Sequence, residues 1–166
     1  MTSTFTQRIL ASDAGLAPLS VRIPVGIIFF AHGAQKLFGW YGGYGLEGTG
    51  QWMDSIGLHP GALLALLAGG AEFVGGLALL LGLLVRPASA VLAFTMLVAI
   101  FSAHISKGLF LNNGGYEYAL ALLAVTVGLC ISGAGRVSLD NLLASRAGVD
   151  EKASRTFPRA GNGALA

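Results

Sequence analysis

Residues 19–38 read LSVRIPVGIIFFAHGAQKLF. About 20 apolar residues is the length a helix needs to cross hydrocarbon, but Arg22, His32 and Lys36 interrupt the run. A charge in hydrocarbon costs roughly 2.5 to 3.5 kcal/mol on insertion scales, so such side chains face a partner or a cavity. At about 100° per residue the three fall within an arc of about 80°, beside Phe29 and Gly33. Ile23, Ile27, Ile28, Phe30 and Leu37 point elsewhere. The stretch therefore reads as a helix with a lipid face and a polar internal face, and any chemistry lies inside a membrane bundle.

Composition agrees. Of 166 residues, 54% are hydrophobic and only 11% charged, where a soluble domain carries about 25% charged residues. The 25 glycines sit within apolar segments, as in transmembrane helices that approach closely through small residues. The formal net charge of +2, with no Lys/Arg run, excludes nucleic acid as an expected partner. The single cysteine, Cys130, lies in an apolar stretch and reads as a small buried hydrophobe; without a CxxC pair, thiol–disulfide exchange and a thiolate metal site are not expected.

Four segments are long and apolar enough to span: Leu19 to Phe38, Gly61 to Val85, Ala88 to Ile105 and Tyr116 to Ser132. Pro24 sits near the start of the first, Pro60 opens the second, and Arg86-Pro87 breaks the pattern before the third. The expected fold is all-α, an integral membrane four-helix bundle. Its parts are a leader (1–18) without signal-peptide features, a membrane domain (19–133) and a basic tail (134–166). In the tail, Val137 to Leu143 suits a short amphipathic surface helix, and disorder is expected from Ser145 onward. Arg8, Arg86 and the basic tail share one side, and the long first loop has no Lys or Arg, so both termini are expected in the cytoplasm. Lys107, in the outer loop after the third helix, is the exception. The first loop alternates aromatics with glycines from Phe38 to Gly45, followed by Trp52, which suits an interfacial aromatic belt or a lid over the bundle mouth.

Helix direction converts position into depth. The first helix runs outward, which leaves Arg22 near the cytoplasm and His32 and Lys36 in the outer half. Glu72 lies roughly 16 Å down the second, His104 ends the third, and Glu117 begins the fourth. His32, Lys36, Glu72, His104 and Glu117 are thus expected to converge in the outer half. Ala65, Gly69, Glu72 and Gly76 form one small-residue stripe, and Glu117, Ala121, Ala124 and Gly128 form another; each is expected to carry its acid inward. Three readings stay open for the cluster. It is a set of ion pairs, such as Lys36 with Glu72 or Glu117, that fixes packing; a ligand or quinone head-group site that exchanges protons; or a transport pathway, for which no inverted repeat is evident. No HxxxH or HxxE spacing supports a metal, and haem is not expected. His59 reads as a solvated loop residue.

At these residues the chain resembles the DoxX family of bacterial membrane proteins. The resemblance rests on His32-Gly33-Ala34-Gln35-Lys36-Leu37-Phe38-Gly39 and the glycine-rich loop with Glu47. It continues through Ala68-Gly69-Gly70-Ala71-Glu72 with Gly75-Gly76, Gly82-Leu83-Leu84 leading to Arg86, His104, and Gly115-Tyr116-Glu117. It implies a multi-pass protein of the bacterial inner membrane. Relatives are linked to an oxidoreductase complex in oxidative-stress defence and to a thiosulfate:quinone oxidoreductase subunit. This chain shows none of the larger domains that some relatives carry, so the thiosulfate reaction is not carried over. The expected function is that of a membrane subunit or partner of a quinone-linked oxidoreductase system. The alternatives are a non-catalytic anchor of a larger complex or a small-solute transporter. In the enzyme reading Glu72 and His104 exchange protons, and His32 hydrogen-bonds a quinone carbonyl. Lys36 holds Glu117 or a substrate anion, and Arg22, Lys36, Glu47 and Glu117 make up the binding or polar network. The expected partners are membrane lipids, a quinone, and either redox-complex subunits or further copies of the chain.

Overall fold

A computed structural model describes residues 9–146; residues 1–8 of the expected leader and 147–166 of the expected disordered tail lie outside it. Among the described residues every regular element is helical. These are α1 (Ala17–Phe38), α2 (Gly45–Ser55), α3 (Gly61–Leu81), α4 (Val85–Ala99), α5 (Glu117–Ser132) and α6 (139–146). Helix α4 continues through a wider π-helical turn, Ile100–His104, and a last tight turn to Lys107. Three helices, Ala17–Phe38, Gly61–Leu81 and Val85–Lys107, are long and apolar enough to cross a membrane; α5 is apolar but shorter, at 16 residues.

Local chemistry sets the boundaries. Pro18 lies in the first turn of α1, and Gly39 ends the helix in the left-handed conformation (φ 72°), its N–H bonded to Gln35 O. Because α1 already begins at Ala17, Pro24 stands inside the helix and not in its first turn. Arg86-Pro87 likewise opens α4 instead of breaking the chain before it, since proline fits an N-terminal turn whose N–H groups have no helical acceptor.

Helices α1 and α3 pack backbone to backbone. A Cβ on Gly33 would strike the Phe73 backbone, and one on Gly76 would strike that of Phe30. Ala65, Gly69, Glu72 and Gly76 are all buried there, as the first small-residue stripe predicts. The second stripe is a correction. On α5 the buried residues are Ala119, Leu122, Thr126 and Leu129, while Ala121, Ala124 and Gly128 are exposed. Bulkier side chains fill the space against α4, so α5 is rotated away from the predicted face. Phe29, Leu79, Leu92 and Leu129 form the centre of the core.

The segment from Gly39 to His59, read from sequence as a loop, contains α2, which packs on α1 and α3. Its glycines cost helix propensity, about 1 kcal/mol each, and tertiary contact overrides that cost. A Cβ on Gly50 would lie 2.9 Å from Ala62 Cα, so the close approach requires glycine. Asp54 then caps α3 by accepting the Gly61 N–H at 2.7 Å, and also receives His59 Nδ1 at 2.8 Å. These two bonds hold the Asp54 carboxyl below the usual carboxylate range.

Candidate functional site

The end of the bundle where α1 stops and α3 starts, labelled the outer end after the sequence expectation, encloses a cavity of about 320 Å³. Its wall is mostly aliphatic and aromatic, and α2 roofs it through Trp52 and Met53. Into this wall come His32, Lys36, Glu72 and His104, four of the five titratable groups expected to meet there. Lys36 Nζ donates to Glu72 Oε2, joining α1 to α3. Glu72 has only 4% of its side chain exposed, and Lys36 24%, so the pair is buried at the acid and open at the base. A lysine has three N–H donors, and this bond uses one.

Each histidine is oriented by one ring nitrogen. His32 Nδ1 lies 3.0 Å from Ile28 O and His104 Nδ1 2.8 Å from Gly114 O. A carbonyl only accepts, so both Nδ1 atoms carry a hydrogen, and in the corresponding neutral tautomer Nε2 is left as an acceptor. The π-turn accounts for the placement of His104. Ser102, Ala103 and His104 all line the cavity, and three successive residues do not share one face of a regular α-helix. Tyr118 completes the wall, its ring 6.1 Å from that of His32. A second, more polar cleft of about 560 Å³ shares His32, Lys36 and Trp52 with the first and extends under Tyr44 and Thr49.

Three predicted site residues lie elsewhere. Glu117 lines neither cavity; it accepts the Leu111 N–H at 2.6 Å at the start of α5, so Lys36 pairs with Glu72 and not with Glu117. The rotation of α5 explains this. Glu47 is exposed on α2, 3.5 Å from Gln51 Nε2. Arg22 shares a helical arc with His32 and Lys36 but lies at the opposite end. There it is buried, and it donates to Leu79 O (2.5 Å), Leu80 O (2.9 Å) and Val137 O (2.6 Å). Trp52 belongs to the aromatic segment read as a belt or a lid over the bundle mouth, whereas sequence reasoning missed Ser102 and Tyr118. Tyr118 follows Glu117 directly and could have been read as its cavity-facing neighbour, but a π-turn leaves no periodicity signal. Among the described residues no group of three His, Cys, Asp or Glu side chains is arranged to hold a metal.

The arrangement offers donors at Lys36 and Tyr118 and acceptors at His32 and His104, beside a carboxylate in an apolar chamber. It suits a ligand that both accepts and donates hydrogen bonds.

The sequence profile described as DoxX matches residues 17–105. The chain is 32% identical over 125 residues to "Putative oxidoreductase CatD" of Bacillus subtilis (strain 168), covering 75% of this chain and 85% of that protein. It is 35% identical over 137 residues to "Inner membrane protein YqjF" of Escherichia coli (strain K12), covering 79% and 93%. An uncharacterized membrane protein of Mycobacterium tuberculosis is 32% identical over 151 residues, covering 84% and 89%. No solved structure matches the chain.

Proposed function

The chain belongs to the DoxX family of membrane proteins, and from that premise we propose that it is the quinone-binding membrane subunit of an oxidoreductase system in the bacterial inner membrane. One observation carries this reading: the cavity of about 320 Å³ sets Lys36, Glu72, His32 and His104 at the polar edge of an apolar chamber. That volume suits a ring-sized head group. His32 and Val98, two of its lining residues, are exposed on the outer surface of the bundle, which leaves a way for an isoprenoid tail into lipid.

Quinone reduction takes up two electrons and two protons per quinol. With a single cysteine and no CxxC pair, this chain draws the electrons from a redox-active partner chain. Its own side chains bind and manage protons. A Lys36 N–H donates to the quinone carbonyl and stabilises the charge that develops on that oxygen. Glu72 and His104 exchange protons with the ring oxygens, and His32 accepts from the quinol hydroxyl. All four apolar helices cross the membrane, with both termini cytoplasmic. Arg22, Arg86, Arg136 and Arg146 gather at one end, and the sixteen residues of α5 extend about 24 Å before the loop that precedes it adds depth.

The test uses the full-length protein in bilayer nanodiscs with a short-chain quinone. Glu72→Gln leaves the fold intact and weakens quinone binding about tenfold, with a matching loss of turnover when the redox partner is present. Unchanged binding and turnover in that variant overturn the assignment.

The Lys36–Glu72 pair itself favours a second reading, in which the chain is a non-catalytic anchor and the pair only joins α1 to α3. In that case Lys36 and Glu72 substitutions lower yield and stability, and leave turnover per folded molecule unchanged.

A further inference from the structure

Helix α6 lies at the inner end of the bundle and is hooked there from both sides. Arg22 donates to Val137 O at 2.6 Å, and the Asp140 N–H donates to Gly82 O at 2.9 Å. The Asp140 carboxylate in turn accepts the N–H groups of Leu84 (2.6 Å) and Val85 (2.9 Å), which cap the start of α4. Asp140 and Ala144 form the buried face. The position of α6 is therefore set by the turn between α3 and α4, at the boundary where the hydrocarbon-length helices stop.

Its opposite face is unusual for that position. Leu139, Leu142, Leu143 and Arg146 recur at spacings of three, one and three, a single helical stripe, and all four are exposed. Leu142 is 48% exposed and Leu143 43%, with Val137 at 54% just before the helix. Leu84 (50%) and Ile131 (73%), at the same end of the bundle, are exposed as well. Exposed Arg136 and Arg146 flank it. The described charges at this end are Arg22, Arg86, Arg136 and Arg146 against Asp13 and Asp140, an excess of positive charge.

We propose that α6 is an interfacial helix that binds anionic phospholipid. Leu139, Leu142 and Leu143 enter the acyl–headgroup boundary, and Arg136 and Arg146 hold the phosphate groups of an anionic headgroup. The apolar stripe supplies insertion and the guanidiniums supply selectivity, the two contributions that interfacial helices combine. This surface is separate from the quinone cavity and stands whether or not a quinone binds.

The full-length chain is tested in bilayers of phosphatidylcholine with and without phosphatidylglycerol. A nitroxide on Leu142→Cys, in a Cys130→Ser background, reports depth by its collision rates with oxygen and with a water-soluble nickel chelate; Leu139→Cys gives a second reading on the same stripe. Both labels should sit at headgroup–acyl depth. Native mass spectrometry should show phosphatidylglycerol retained over phosphatidylcholine. Arg136→Gln and Arg146→Gln should each reduce that preference about fivefold. Labels at the level of bulk water overturn the proposal and assign the stripe to a soluble protein partner. Equal retention of the two lipids, or retention indifferent to the two arginine variants, overturns the anionic selectivity.

Discussion

The two ends of the bundle handle charge in opposite ways. At the inner end each described bond of the clustered charges goes to the backbone. Arg22 donates to three carbonyls, Arg86 donates to Cys130 O, Ile131 O and Ala11 O, and Asp140 accepts two N–H groups. At the outer end Lys36 meets Glu72, each histidine uses one ring nitrogen, and the remaining capacity faces a cavity. Charges that cap helix ends and tie segments together mark architecture. Charges whose remaining donors and acceptors line a space leave room for a ligand, whereas the unpaired Nε atoms of Arg22 and Arg86 are buried.

The strongest way to break this comparison is at Arg22. Arg22→Met strands three carbonyls and leaves buried Asp140 with Arg86 as its one remaining attracting cation, so about 3 to 5 kcal/mol of stability should be lost. Thermal unfolding in nanodiscs checks this, and the folded fraction should keep its quinone affinity. An equal loss of affinity would show that the inner end serves the ligand as well.

The outer pair sharpens the contrast through a double substitution. Lys36→Met strands the Glu72 carboxylate and should cost about 3 kcal/mol, whereas Lys36→Met with Glu72→Met should return to within about 1 kcal/mol of the wild type. The double variant should still lose quinone binding. If it binds normally, the pair is packing alone. A smaller effect is expected at the π-turn: His104→Gln should cost about 1 kcal/mol, the net worth of its bond to Gly114 O, while lowering affinity about tenfold.

The smallest effect concerns the cap on α3. Asp54 has its carboxyl held low by Gly61 N–H and His59, so its contribution is present above the ordinary carboxylate range and lost as pH falls through the lowered value. Amide exchange at residues 61–64 should therefore quicken on the acid side of that range. In Asp54→Asn the acid dependence should flatten. An unchanged pH profile in that variant would assign the acid lability to another group.

Much of this was legible along the chain. The apolar runs, the opening of α3 at Pro60, the Glu72 stripe and the meeting of His32, Lys36, Glu72 and His104 all follow from sequence pattern, helical period and depth. What failed has a common cause. Glu117 and its stripe have the right spacing, yet α5 turns its bulkier residues toward α4, because close packing of Leu122 and Leu129 buries more apolar surface than a row of alanines. Helix α2 was invisible because its glycines argue against a helix until α1 and α3 supply the contacts.

By itself, the sequence determined that the protein is helical and lies in a membrane, and that its interior carries charge. In hydrocarbon every backbone group must be satisfied within its own segment, so long apolar runs have one solution. Only the tertiary structure decided which charge meets which. Spacing along a helix orders residues around its axis but leaves open the rotation of that helix against its neighbours. That rotation is set by packing across the bundle, and it paired Lys36 with Glu72 and turned Glu117 away.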